Sequence, residues 1–259
     1  MKRNILAILS FTAAVAFISC EKNSQRLIST TGTEGKALVK VNYAMAHMQT
    51  ATLPAPVQLK INGERVSNLL TSTTHYTTPY PGGGLNTAGS SNPDYLAITP
   101  GTVNIGISKP NVGTNNDSIV LFTGSTTVEA NKNYTIHLSD TGTNAALTLV
   151  EDNVSLPDSG KSRYVFVNLT PNSTAIDLYH GTVLVAQNIP YKGKSPEFLM
   201  QAGTAASWAI RPAGAAPTST ALATYSNTIP NQRSLTVFSR GYIGVTGARA
   251  PAISLIYNR

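Results

Sequence analysis

Beyond residue 35, apolar and polar residues alternate. Val39-Val41-Tyr43, Val57-Leu59-Ile61, Val103-Ile105-Ile107 and Tyr134-Ile136-Leu138 place an apolar side chain at every second position, as do Val165-Val167-Leu169, Ile176-Leu178, Leu235-Val237 and Ile253-Leu255. Successive side chains of a strand point to opposite faces, so each run predicts a strand with one face on a core and the other in water. Apolar residues after Cys20 show no 3.6-residue helical period. Charged residues are only 12% of the chain, while Thr, Ser, Asn, Gly and Pro abound, a mixture suited to short strands and tight turns. Trp208 shares a face with Ile210 and is expected in a core. His137 falls between Ile136 and Leu138, so its ring is expected on the water side.

The two halves of the chain echo each other. Val39-Lys40-Val41-Asn42 corresponds to Val165-Phe166-Val167-Asn168, and Pro56-Val57-Gln58-Leu59, running to Gly63, to Ala175-Ile176-Asp177-Leu178, running to Gly181. Gly101-Thr102 leads to Lys109-Pro110 over the same distance that separates Gly203-Thr204 from Arg211-Pro212. Tyr134-Thr135-Ile136 pairs with Leu235-Thr236-Val237, and Ala146-Leu147-Thr148-Leu149 with Ala252-Ile253-Ser254-Leu255. Matched elements in one order predict a duplicated all-β sandwich. The first sandwich is expected over 36–153 with an insertion at 67–94, the second over 163–259, and a linker over 154–162 marked by Pro157, Asp158 and Gly160.

In this ordered set the chain resembles the domain of unknown function 4397 (DUF4397), a family of bacterial envelope and secreted proteins that are commonly lipoproteins. The resemblance runs from about Gly35 to Arg259 and is better in the second half, because the first carries the insertion. It implies two tandem immunoglobulin-like (or transthyretin-like) β-sandwiches and an envelope location. It implies no activity and carries over no catalytic residues.

The first twenty residues predict export. Lys2 and Arg3 precede an apolar run from Ile5 to Ile18 that is shorter than a bilayer-spanning helix requires. These are the proportions of a signal peptide, here 1–19. Phe17-Ile18-Ser19-Cys20 resembles a lipobox, with Phe17 where Leu is commoner. Cys20 is therefore the expected lipidation site and membrane anchor, followed by a tether over 20–35. Two or more acyl chains, at about 0.8 kcal/mol per buried CH₂, make such an anchor firm. Glu21 in place of Asp points to the outer membrane, with either face open. Cys20 is the only cysteine, so an exported body gains no disulfide brace.

Charge and motifs exclude more than they identify. The chain's 19 basic residues fall to 17 without Lys2 and Arg3, against 12 acidic ones, leaving +5. These charges are scattered rather than gathered in the basic stripe of a nucleic-acid binder, so no nucleic-acid partner is expected. No Gly-x-Ser-x-Gly elbow occurs. Gly160-Lys161-Ser162 and Gly193-Lys194-Ser195 have Ser155 and Asn188 where a phosphate-binding loop needs its earlier glycine. His47, His75, His137 and His180 lie far apart in sequence, so no metal site is expected. Met45-Ala46-His47-Met48 is soft enough for copper(I), but is read as a strand end with Met in the core. No catalytic residue or cofactor is assigned.

The insertion at 67–94 is the most unusual stretch, with His75, Tyr76, Tyr80, Gly82-Gly83-Gly84 and Pro79, Pro81 and Pro93. Tyrosines among Ser, Thr and Gly present flat amphipathic surface at low entropic cost. His75, Tyr76 and Tyr80 are thus candidate binding residues for a glycan or an envelope protein. The expected function is non-catalytic binding by a lipid-anchored envelope protein. A structural rival is a surface-filament subunit, because lipidated tandem sandwiches also resemble pilins matured by cleavage after an arginine, for which Arg26 is placed. An envelope hydrolase is a distant third.

Overall fold

The computed structural model of the chain describes residues 32–45, 57–67, 84–86, 95–114 and 116–259. The chain is all-β, and the described residues form strands gathered into four sheets. In the first half, β1 (Ala37–Tyr43), β2 (Gln58–Ile61) and β3 (Glu64–Arg65) are followed by a short β4 (Gly84–Leu85) and β5 (Leu96–Ile98). Then come β6 (Gly101–Pro110), β7 (Asp117–Val128), β8 (Asn133–Ser139) and β9 (Ala146–Glu151). The second half holds β10 (Lys161–Asn168), β11 (Ala175–His180), β12 (Val183–Pro190), β13 (Phe198–Gln201), β14 (Ala205–Pro212), β15 (Ala223–Thr228), β16 (Ser234–Arg240) and β17 (Ala252–Tyr257).

The two halves use one wiring scheme. The first builds sheets ordered β5-β1-β8-β9 and β3-β2-β6-β7; the second builds β13-β10-β16-β17 and β12-β11-β14-β15. In each, the first strand runs parallel to the penultimate one, β1 beside β8 and β10 beside β16. The five echoed motifs fall on corresponding strands. Asn62 and Gly63, at φ 52° and 85°, form the two-residue turn between β2 and β3, where left-handed geometry matches the strand twist.

Each pair of sheets encloses its own core. Val39, Val41, Leu59, Ile105, Ile107, Ile136 and Leu138 pack in the first. Tyr164, Phe166, Ile176, Leu178, Trp208, Ile210, Val237 and Leu255 pack in the second. Trp208 is fully buried, its indole N–H donating to Asn227 Oδ1 at 2.7 Å.

The opposite faces of the two central sheets depart from the expectation of water. Lys40, Asn42, Thr135, His137 and Ser139 on β1 and β8 are buried, as are Thr236, Phe238, Ser254 and Ile256 on β16 and β17. On β10 the expected faces are exchanged: Tyr164 and Phe166 enter the core, and Val167 and Leu169 lie on the buried opposite face, because both faces of this strand are covered and alternation alone does not tell them apart. Ala44 and Val150 from the first half join Val167, Leu169, Phe238 and Ile256 from the second in one apolar cluster. The sheets therefore stack in four layers, with a seam between the middle two. His137 lies in that seam, not in solvent, because the second sandwich covers the face that alternation assigns to water.

One strand crosses the seam. β4, within the insertion, pairs antiparallel with β17 and becomes the fifth strand of the second half's central sheet. Asn86 secures it, donating to the Ile253 carbonyl at 2.6 Å while its own carbonyl accepts from Ser254 Oγ at 2.7 Å.

Candidate functional site

Polar groups gather at the seam because outward positions on the central strands are polar while the fold denies them water. Lys40, pointing out of β1, donates to Asn258 Oδ1, just past β17, at 2.7 Å and to the carbonyl of Tyr257 at the end of β17. Its ammonium sits 4.6 Å from the centre of the Tyr95 ring. Asn258 donates in turn to Thr236 Oγ1 at 2.9 Å. Asp152, just after β9, accepts from Thr135 Oγ1 at 2.6 Å and from the Tyr95 hydroxyl at 2.8 Å, both through Oδ2. Its Oδ1 is buried with no hydrogen-bond partner among the described residues. Burial raises the Asp152 pKa, with Lys40, Thr135, Tyr95 and Lys194 pulling the other way.

His137 makes one hydrogen bond, Asn42 Nδ2 to its Nδ1 at 2.8 Å. Its Nε2 is buried with no partner among the described residues, and the Phe238 ring lies 6.1 Å away. Burial first, and the Lys40 charge second, lower its pKa to about 3, so it is neutral at ordinary pH.

Comparison with other buried polar groups separates support from candidate chemistry. Asp177 spends both oxygens on backbone N–H groups, Asn188 at 2.6 Å and Gly214 at 2.8 Å. Asn168 donates to the Ile189 carbonyl and Ser173 Oγ while accepting from Ser239 Oγ. Both are saturated braces. Asp152 and His137 are not, and both lie in the seam; Tyr164 Oη, His180 Nε2 and Arg211 Nη1 elsewhere in the fold share that state among the described residues.

Beside Asp152 the seam opens into a cleft of about 460 Å³, within the usual size range of small-molecule sites. Asn133 and Glu151 line it from the first half, Asn153 and Ser155 from the connection between β9 and β10, and Lys194 and Glu197 from the loop after β12. Asn153 Nδ2 donates to Glu197 Oε2 at 3.1 Å, and Arg163 pairs with the same oxygen at 3.2 Å. Lys194 reaches across to the Glu151 carbonyl at 3.3 Å. The lining is carboxylate, carboxamide and ammonium, without an aromatic platform.

The residues expected from sequence are distributed differently. Cys20, His75, Tyr76 and Tyr80 lie outside the described residues, as do His47 and Met48. Met45 is buried in the first core. His180 is buried against Trp208, ring centres 4.6 Å apart. Among the described residues no group of three or more His, Cys, Asp or Glu is placed to hold a metal ion. The cleft was not foreseen, since its residues come from strand ends and turns far apart in sequence and share no local motif. The only local trace is the polar run Glu151-Asp152-Asn153 that follows the Ala146-Leu147-Thr148-Leu149 motif.

No curated protein matches the chain. Among solved structures it is similar, at 12% identity and a TM-score of 0.21, to a family 26 carbohydrate-binding module of Eubacterium rectale Amy13K in complex with maltoheptaose, over 82% of this chain and 99% of that one. It is also similar to a leucine-rich repeat protein from Bacteroides thetaiotaomicron, at 14% identity and a TM-score of 0.20, over 83% of this chain and 26% of that one. The architecture rests on the strand pairings themselves. Residues 85–179, from β4 into β11 and so across both halves, match the model of the domain of unknown function DUF4397, the family that the ordered strand motifs resemble.

Proposed function

We propose that the chain is a lipid-anchored protein of the bacterial cell envelope, tethered through Cys20 at the outer membrane, that binds a glycan without catalysis. The observation that carries the binding reading is the cleft of about 460 Å³ between the halves. Asn133, Asn153, Lys194 and Glu197 offer donors and acceptors of both kinds, which suits the mixed hydroxyls of a sugar better than an apolar protein surface. A glycan screen of the soluble body, followed by calorimetry on the best ligand, tests it. Asn133→Ala and Glu197→Ala should each weaken binding at least about tenfold, the loss of one or two good hydrogen bonds. Unchanged affinity in both removes the cleft from consideration; loss of binding in a Tyr76→Ala, Tyr80→Ala double variant alone moves the site to the insertion. Labelled palmitate incorporated by the native chain, and not by Cys20→Ser, is the result expected of the anchor.

A second reading, assembly into a filament, draws on β7. This edge strand exposes Ile119 at 52% and Val120 at 59%, and an open apolar edge is a template for strand addition. Electron microscopy of cells tests it: a filament labelled by antibody is expected, and its absence counts against assembly.

A further inference from the structure

We infer that Lys40 and Asn258 are the partners of an intramolecular isopeptide bond that joins the two sandwiches covalently. Lys40 and Asn258 are each only 3% exposed. The Nζ-to-Oδ1 distance is 2.7 Å, and Cγ lies one carbonyl bond, about 1.2 Å, beyond that oxygen. The nucleophile is thus held at the threshold of the roughly 3 to 3.5 Å separation from which attack proceeds. Asn258 is fixed on its other side by Thr236 Oγ1, so the amide does not turn away.

A proton acceptor is present. Asp152 and Asn258 line one small crevice at the seam, and Asp152 Oδ1 is buried without a hydrogen-bond partner among the described residues. Tyr95 and Thr135 position the carboxylate by holding its other oxygen. An ordinary structural aspartate has both oxygens engaged, as Asp177 does. Burial also raises the Asp152 pKa, which favours a carboxyl group that takes up a proton.

The step balances without an added reactant. The Lys40 ammonium yields a proton that reaches the Asp152 carboxylate through a bridging water, and the freed amine attacks Asn258 Cγ, forming the new C–N bond as the carbonyl electrons move to Oδ1. The intermediate collapses, the Cγ–Nδ2 bond breaks as Nδ2 takes the proton from Nζ, and the ammonia released takes the second proton from Asp152 and departs as ammonium. The net change is ammonium plus primary amide to secondary amide plus ammonium ion. The link would tie β1 of the first sandwich to the segment after β17 of the second. In a chain whose only cysteine is Cys20, it supplies the cross-link that disulfides provide in other exported proteins.

Intact-mass spectrometry of the folded, full-length chain tests this, followed by peptide mapping. The expected result is a mass lower by one ammonia, with the Lys40 peptide joined to the Asn258 peptide. The deficit should be absent in Lys40→Arg and Asn258→Ala, and Asp152→Asn should slow its appearance at least about tenfold after refolding, as expected for loss of a proton acceptor. Circular dichroism of the variants separates lost chemistry from lost folding. A wild-type protein that is folded and carries its full mass overturns the proposal, as does an ammonia deficit that maps to any other pair.

Discussion

The central sheets and the outer sheets of this molecule are built from the same alternating strands, yet they end in different environments. β7 and β15, on the outer sheets, turn one face to a core and the other to water. β8 and β16, on the central sheets, are buried on both faces. The difference lies in what occupies the second face. On β7 it is Ser125, Thr127 and other exposed positions; on β8 and β16 it is Thr135, His137, Ser139, Thr236 and Phe238, packed across the seam. Alternation with a polar second face does not by itself mean solvent. Small hydroxyls, one imidazole and one amine can be enclosed when a second sandwich supplies partners and an apolar filling.

The largest test of this contrast is acid. His137 has a folded pKa of about 3 against an ordinary value of 6.5. Between those values the unfolded chain binds a proton that the folded chain refuses. The His137 contribution is therefore intact above pH 6.5 and is lost as pH falls towards 3, by about 5 kcal/mol in all. Asp152 works in the opposite sense, because its raised pKa lets the folded chain take a proton before the unfolded one does, down to about 3.8. Denaturant unfolding from pH 7 to pH 3 should show the loss, and His137→Gln should flatten it. An unchanged slope in the variant places the histidine in water.

Next in size is Phe238→Ala. The side chain is fully buried in the seam cluster, so its removal should cost about 3 to 4 kcal/mol, measured as a fall in the unfolding midpoint. A cost below about 1 kcal/mol is what a loose abutment of two independent domains would give. Leu85→Ala probes the strand that crosses over. It is half-buried against the second core, and a loss of about 1 to 2 kcal/mol is expected from the methyl groups withdrawn.

The smallest effect belongs to the outer sheets. Lys60 and Asp117 pair at 2.8 Å near the surface, and bonds from Lys60, Ser108 and Gln58 lower the Asp117 pKa. Its contribution is present above the ordinary carboxylate pKa and is lost as pH falls through the lowered folded value. Lys60→Ala should cost less than about 1 kcal/mol, and less again in high salt.

Much of the fold was legible in sequence. β1, β2, β6, β8, β11, β16 and β17 announce themselves by alternation, and the echoed motifs pair them in the right order; β10 is also found, but with Val167 and Leu169 assigned to the core face that Tyr164 and Phe166 occupy. β7 was missed because Ile119-Val120-Leu121-Phe122 is a continuous apolar run, and β15 because Thr224-Tyr225-Ser226-Asn227 carries almost no apolar signal. The seam was illegible for a different reason. Period-two patterning reports which residues share a face, and only tertiary packing decides what that face meets. The same limit hid the cleft, whose walls come from opposite halves. The candidate residues visible in sequence, His75, Tyr76 and Tyr80, form a local cluster, and the described structure does not include them.

The claim that two sandwiches form one body through a buried seam is tested most directly by the single tryptophan. Trp208 reports on the second core alone, whereas Leu59 is fully buried in the first. Leu59→Ala should destabilise the first core by about 2 to 5 kcal/mol. If the seam couples the halves, the Trp208 fluorescence transition moves to lower denaturant together with the circular dichroism transition. A Trp208 midpoint that stays where it is in the parent protein, while the first half unfolds early, contradicts the account.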